Sequence, residues 1–352
     1  MKTLMIVGSY TNGTNAGIQF FDADTETGKF TKIRDIPETI DSTYFCMNRA
    51  RTRLYAGLRD PSNPDKGKNG AVAAYSMRGD QLELLNRVSV GPVTPPCYVA
   101  LDPAESGVVW AEYVNATYGC FALDANGALG RVTAGQNTGD GPNKPRQDKA
   151  HAHCSVVSPD GNYLCIVDLG IDAVKVFDWK NRANGLNECK DVTIRTAPGL
   201  GPRHFLFHPN GKLAFLVYEL GNAVTSFRYD GKRFEPVQTI SMLPGGFQGD
   251  TKAAAIKVSA DGKRLFASNR GHNSIAVYDI DTETGALTLL TINQLVGKFP
   301  RDFTFMPGEK FLVVGHKMSN NLMTYAYDRE NGTMTPLQNA YETYRPVCIQ
   351  FV

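Results

Sequence analysis

Short apolar runs rich in Val, Ile, Phe and Tyr recur along the whole chain, punctuated by Gly, Asn, Asp and Pro. A 3.6-residue period is nowhere sustained, so the pattern predicts strands joined by turns and not helices. It is clearest over residues 151–222, where HAHCSVVSPDGNYLCIVDLG is followed by GPRHFLFHPNGKLAFLVYELGN, the same arrangement written twice. Each copy opens on a cationic or imidazole residue, His153 or Arg203, and continues as an apolar run. A polar turn follows, Pro159-Asp160-Gly161 or Pro209-Asn210-Gly211, and then a second apolar run, Tyr163 to Val167 or Leu213 to Val217. Asp-Gly and Asn-Gly supply the positive φ that a tight hairpin needs.

The unit recurs at about 50 residues, the spacing of propeller blades. Its third strand is the clearest marker: GIQFFDADTETGKF, AVAAYSMRGDQL, YGCFALDANGAL, AVKVFDW, AVTSFRYDGKRF, SIAVYDIDTETGAL and LMTYAYDRENGTM, seven copies in all. Seven first strands match them, beginning near Tyr44, Pro96-Cys97, Ala152-His153, Pro202-Arg203, Ala254, Pro300-Arg301 and Pro346-Val347. The last of these, RPVCIQFV, has no later strands of its own, while the N-terminal TLMIVGSY lacks a first strand. Pairing the two closes a ring and removes sheet edges that would otherwise recruit other chains. The expectation is an all-β chain, a seven-bladed β-propeller of four-stranded blades, forming one domain over residues 1–352. Two polar insertions rich in Gly and Pro, 59–70 and 136–150, read as surface loops at a rim.

Composition narrows the partners. The chain has 352 residues, 42% hydrophobic and 20% charged, with a formal net charge of +2. That balance gives no reason to expect nucleic acid or an anionic membrane surface. The apolar start MKTLMIV stops at Gly8, too short for a signal-peptide core, and no stretch approaches a membrane span. Seven scattered cysteines without CxxC spacing read as reduced structural thiols of a cytoplasmic protein.

In a propeller the first strands line the central channel, so repeat positions tell which residues converge. Six residues before each turn proline, or its equivalent Ala260, stand Cys97, His153, Arg203, Ala254 and Arg301. Ten residues after it, at the end of the second strand, stand Leu169, Glu219 and Arg270. His316 takes that slot if one residue is skipped after Pro307, and Tyr10 takes it in blade 1. Entry of one strand and exit of the next share one end of a hairpin. His153, Arg203, Glu219, Arg270, Arg301, His316 and Tyr10 are therefore expected around one channel mouth, a set of residue types suited to a small anion. His151-Ala152-His153 puts two imidazoles on one strand face, but the arginines around them repel cations, so no metal is expected. His204 and His208 read as packing or turn residues. No GxSxG elbow, P-loop, Rossmann glycine fingerprint or HExxH motif is present.

The segments HAHCSVVSPDGNYLCIVDLGID, GPRHFLFHPNGKLAFLVYELGN and SADGKRLFASNRGHNSIAVYDID, with GSYT near the start, resemble the lactonase family of seven-bladed propellers. That family includes cycloisomerase-type 6-phosphogluconolactonases and fungal carboxymuconate lactonizing enzymes. The resemblance spans essentially the whole chain. It implies an active-site set at His153 (or its neighbour His151), Arg203, Glu219 and Arg270. Ala150 departs from the pattern, since relatives often carry proline there.

The implied activity is hydrolysis of a sugar-acid lactone, first of all 6-phosphogluconolactone, without a cofactor. Glu219 and His153 would share base and acid work in an order the sequence leaves open. Arg203 and Arg270 would stabilise the oxyanion. Arg301, His316 and Lys317 would hold the phosphate, with His151 and Tyr10 beside them. The same residues serve a muconate-type lactonizing cycloisomerase equally well. A non-catalytic interaction scaffold is the alternative of another class, and it predicts an apolar rim patch in place of a cationic mouth.

Overall fold

A computed structural model describes residues 1–60 and 69–352. The expected insertion at 59–70 falls mostly outside these residues. Its described ends belong to two strands of blade 2, Arg53–Arg59 and Gly70–Arg78. Seven antiparallel sheets form the molecule, six of them with their first four strands in chain order and the seventh with the last strand of the chain placed before the first three. The innermost strands are Ile40–Met47, Tyr98–Leu101, Ala152–Val157, Pro202–Phe207, Lys252–Val258, Pro300–Phe305 and Pro346–Phe351. Each lies beside the innermost strand of the next blade, and the circle closes between Pro346–Phe351 and Ile40–Met47. This is the expected seven-bladed propeller. Blade 1 is made as the chain ends implied: Pro346–Phe351 pairs with Lys2–Ser9, with Met5 opposite Phe351 and Val7 opposite Ile349. Among the described residues the one helical element is a short 3-10 turn, Arg182–Asn184, and no helix is long and apolar enough to cross a membrane. All seven cysteines are free.

The core is a ring of wedges between neighbouring blades. Ile6, Phe20, Phe45 and Leu54 fill the wedge between blades 1 and 2, and Met5, Phe21, Val313 and Ile349 the wedge between blades 7 and 1. Sheets covered on both faces need apolar residues at successive positions. This is why the second strands, such as Leu213–Tyr218, are buried along their whole length. Outer strands such as Leu129–Gln136 keep one wet face and alternate.

Turn chemistry sets where each strand ends. Gly161 and Gly211 take φ of 66° and 70°, as the Asp-Gly and Asn-Gly pairs require. At the other end of the hairpins, Asp172, Asn222 and Asn273 occupy the left-handed region, which short polar side chains tolerate best. Gly170 has another reason to be glycine. A Cβ there would stand 1.9 Å from the Lys149 carbonyl oxygen, so Gly170→Ala must displace backbone. Overpacking of this kind costs about 1–3 kcal/mol, and a G170A denaturation midpoint equal to wild type would show that the contact is not tight.

Candidate active site

One hydrogen bond recurs in six of the blades and places the site. A backbone N–H just before the first turn donates to the first residue of the second strand: Asn48 to Arg53, Asp102 to Gly107, Ser158 to Tyr163, His208 to Leu213, Ser259 to Arg264 and Met306 to Phe311. In blade 1 the Val352 N–H reaches Leu4 in the same way. Six residues beyond each acceptor stand Arg59, Tyr113, Leu169, Glu219, Arg270, Lys317 and Tyr10. All of these except Leu169 line a single cavity of about 470 Å³ at one end of the channel. Thr43, His153 and Arg301 from first strands, Cys97 and Phe299 each just before one, and Lys252 at the start of one also face it. Six cationic side chains (Arg59, Arg146, Lys252, Arg270, Arg301 and Lys317) therefore surround one lining carboxylate, Glu219.

Glu219 is 3% exposed and carries three guanidinium contacts. Its Oε2 accepts from Arg203 Nε at 3.0 Å and lies 2.6 Å from Arg270 Nη2, while Oε1 accepts from Arg146 Nη2 at 2.5 Å. Burial works to raise its pKa. Arg270 and Arg203, then His153 and Arg146, outweigh burial and hold it well below the usual carboxylate range. Arg203, expected to stabilise an oxyanion, does not line the cavity: it lies beneath Glu219, 1% exposed, with Nη1 donating to the Ala254 carbonyl at 2.6 Å and to His204 Nε2 at 3.0 Å. Burial, followed by Arg301 and Arg270, pushes its pKa down to about 9, still above neutrality. Arg270 is anchored on the Ala253 and Lys252 carbonyls at 2.6 and 3.2 Å.

His153 is 3% exposed and lines the cavity, with neither ring nitrogen hydrogen-bonded. Burial, then Arg203, hold its pKa well below the ordinary histidine value. It is a neutral imidazole at neutral pH, with the Tyr113 and His204 rings edge-on at 5.7 and 5.3 Å.

Two expected binding residues do not face the cavity. His151 stacks on Tyr113 at 4.3 Å, with Nδ1 donating to the Tyr113 carbonyl and Nε2 3.1 Å from Asp148 Oδ1. His316 is wholly buried, its ring under Gly297 and Nε2 3.5 Å from the Tyr325 hydroxyl. Burial pushes its pKa down to about 4, leaving no charge for a phosphate. Skipping a residue after Pro307 was the error: Pro300 pairs with His316 as Pro202 pairs with Tyr218, so Lys317 is the counterpart of Glu219. The Lys317 ammonium lies 5.0 Å from the Tyr10 ring and 5.9 Å from the Phe299 ring. Arg301 lines the cavity without a hydrogen bond or ion pair of its own. Among the described residues no group of side chains is arranged to hold a metal ion, and His208 serves its turn, accepting from the Asn210 N–H.

Arg59, Lys252, Tyr113 and Arg146 line the cavity without having been expected there. Tyr113 stands ten residues after Pro103 and was within reach of the same count. Arg146 belongs to the 136–150 insertion, expected as rim loop, and no repeat position points to it.

A closed propeller with a cavity lined by cationic side chains at one channel mouth defines an enzyme-like pocket for a small molecule. The family model of the seven-bladed β-propeller lactonases matches residues 4–351. A 6-phosphogluconolactonase of Bacillus subtilis (strain 168) is 34% identical, over 100% of this chain and 99% of that one. Among solved structures, a protein from Lactobacillus plantarum superposes with a TM-score of 0.90 at 34% identity, covering 100% of both chains. The periplasmic gluconolactonase of Pseudomonas aeruginosa gives 0.92 at 29% identity, covering 100% of this chain and 99% of that one. The chain belongs to the lactonase family of seven-bladed β-propellers and is a lactone-hydrolysing enzyme.

Proposed function

We propose that the substrate is a phosphorylated sugar-acid lactone, 6-phosphogluconolactone first of all, opened to the free acid at the cavity described above. The observation that carries this reading is the charge of the cavity: with Arg59 and Lys252 paired to Asp41 and Asp250, Arg146, Arg270, Arg301 and Lys317 still stand against the single lining carboxylate Glu219, more than an uncharged lactone needs. Water adds to the lactone carbonyl, the bond from that carbon to the ring oxygen breaks, and a proton must move from water to the ring oxygen. Neutral His153, with a lone pair to spare, takes the water proton and returns it to the leaving oxygen. Glu219 remains ionised and supports the imidazolium formed in between. Guanidiniums in a buried site stabilise the charge on the carbonyl oxygen. Arg301 and Lys317, on adjacent elements of the wall, take the phosphate.

The direct test is the rate at which purified protein opens 6-phosphogluconolactone and unphosphorylated gluconolactone, each against its spontaneous hydrolysis. Preference for the phosphorylated lactone is expected, and equal rates would remove the phosphate from the proposal. A conjugated muconate is expected to keep its ultraviolet absorption, and losing it would favour the cycloisomerase reaction instead.

Two further results follow from the phosphate assignment. Lys317→Ala is expected to raise KM for the phosphorylated lactone about 10-fold or more, with kcat nearly unchanged, since a charge-assisted hydrogen bond contributes about 1.5–3 kcal/mol. Burial, then Arg301, lowers the Lys317 pKa to about 8. Its ammonium is present below that value and lost above it, so KM should climb as pH rises through 8. A KM flat across that range would exclude Lys317 from phosphate binding.

A further inference from the structure

The three guanidiniums on Glu219 are not equivalent. Arg203 and Arg270 come from propeller strands, are at most 4% exposed, and are tied to backbone carbonyls of the next blade or their own. Arg146 has no backbone acceptor. Its Nη2 contacts only Glu219 Oε1 and the Tyr113 hydroxyl, the latter at 3.3 Å, and its side chain is 28% exposed. Its Nε and Nη1 make no hydrogen bond, so most of the guanidinium's donors are unspent.

The backbone beneath Arg146 is fixed all the same. The neighbouring Gln147 is wholly buried, its Nε2 donating to the Leu169 carbonyl at 2.8 Å and its Oε1 accepting from the Asn143 N–H at 3.1 Å. Gly141 N–H donates to the Gln147 carbonyl at 3.0 Å. A clamped turn thus presents one long side chain that can rotate alone.

Charge counting shows what that rotation accomplishes. In the empty cavity three guanidiniums serve one carboxylate. When water adds to a lactone carbonyl a second anion develops, and Arg203 and Arg270 suffice for Glu219 through Oε2. We infer that Arg146 is the transferable guanidinium of the site: it caps Glu219 Oε1 in the empty enzyme and passes to the substrate's carbonyl oxygen as negative charge builds there. The move frees Oε1 toward His153 at the moment the imidazole gains its proton. Arg203, beneath the floor, stays behind as the fixed counter-charge of Glu219 and does not touch substrate. The inference rests on the lactone-hydrolysis reading of this cavity.

The test is a cycle of Arg146→Ala, Glu219→Gln and the double variant, assayed on 6-phosphogluconolactone and gluconolactone with spontaneous hydrolysis subtracted. R146A is expected to lose about 10²-fold or more in kcat with little change in KM, the size of one lost oxyanion donor. It should regain part of that rate when low, non-denaturing guanidinium chloride is added, which a misplaced loop would not do. In the E219Q background R146A should cost a further, comparable factor, because its target is the substrate. R146A without additional effect in that background would mean Arg146 serves only Glu219, and the inference falls. R146A turning over at the wild-type rate, while wild type is active, overturns it as well. If wild type opens neither lactone, the reading of the cavity fails and takes this inference with it.

Discussion

Glu219→Gln is expected to lower lactone turnover by on the order of 10²-fold or more, the range for a lost acid–base group or its obligatory partner, while anion affinity survives or improves. The glutamine keeps the shape of the side chain and removes the charge that three guanidiniums share. Without it the imidazolium of His153 loses the nearby carboxylate that favours it, and the proton transfer slows. The arginines remain, now in excess, so phosphate or sulfate should bind E219Q at least as tightly as wild type in a calorimetric titration. Stability should fall as well. Arg203 and Arg270 are buried, and stripping one partner from a buried ion pair costs about 3–5 kcal/mol. Added phosphate should recover part of that loss through ligand linkage. E219Q with near-normal turnover would show that the carboxylate is a structural counter-ion and no more.

His153→Asn is the companion experiment, and it separates a base from a bystander. A loss of about 10²–10⁴-fold in kcat is expected for a removed proton carrier, with little cost to the fold, since His153 makes no hydrogen bond that asparagine would orphan. Wild type carries a pH signature of the same assignment. The imidazole works in its neutral form and its pKa is depressed by burial and by Arg203. Activity should therefore hold as pH drops through the ordinary histidine range and decline only further down, where the imidazole protonates. In H153N that acid limb should disappear. A wild-type limb centred at the ordinary histidine value, or one that persists in H153N, would assign it to another group.

Most of this architecture was legible because a propeller repeats. The third-strand marker returned seven times, Asn-Gly and Asp-Gly turns set off apolar runs buried on both faces, and the unmatched ends could only complete each other. The same register brought His153, Glu219, Arg270, Arg301 and Tyr10 to one mouth, with Arg203 buried beneath Glu219. It misplaced His316 for a definable reason: one skipped residue at Pro307 put the buried imidazole of His316 in the slot that the cavity-facing ammonium of Lys317 occupies. Strand alternation leaves no middle ground between those two faces. Arg146 was illegible for a deeper reason. It sits in a connection with no counterpart in the other blades, and the buried Gln147 that aims it looks in the sequence like any polar loop residue. The contest between burial and arginines at Glu219 also needed distances, because both sides were plain from the types alone and only their closeness decides.

Blade 1 draws its innermost strand from the far end of the chain, and this orders events in time. During synthesis, Lys2–Ser9, Ile18–Asp24 and Phe30–Ile36 emerge long before their partner Pro346–Phe351. Until Pro346–Phe351 arrives, Met5 and Val7 sit on an open edge with nothing to pair with. The cavity waits too: the Tyr10 N–H is held by the carbonyl of Arg345, and its ring flanks Lys317. A chain from which Pro346–Phe351 is missing thus has every catalytic side chain and an unfinished pocket, which that strand completes by closing the circle.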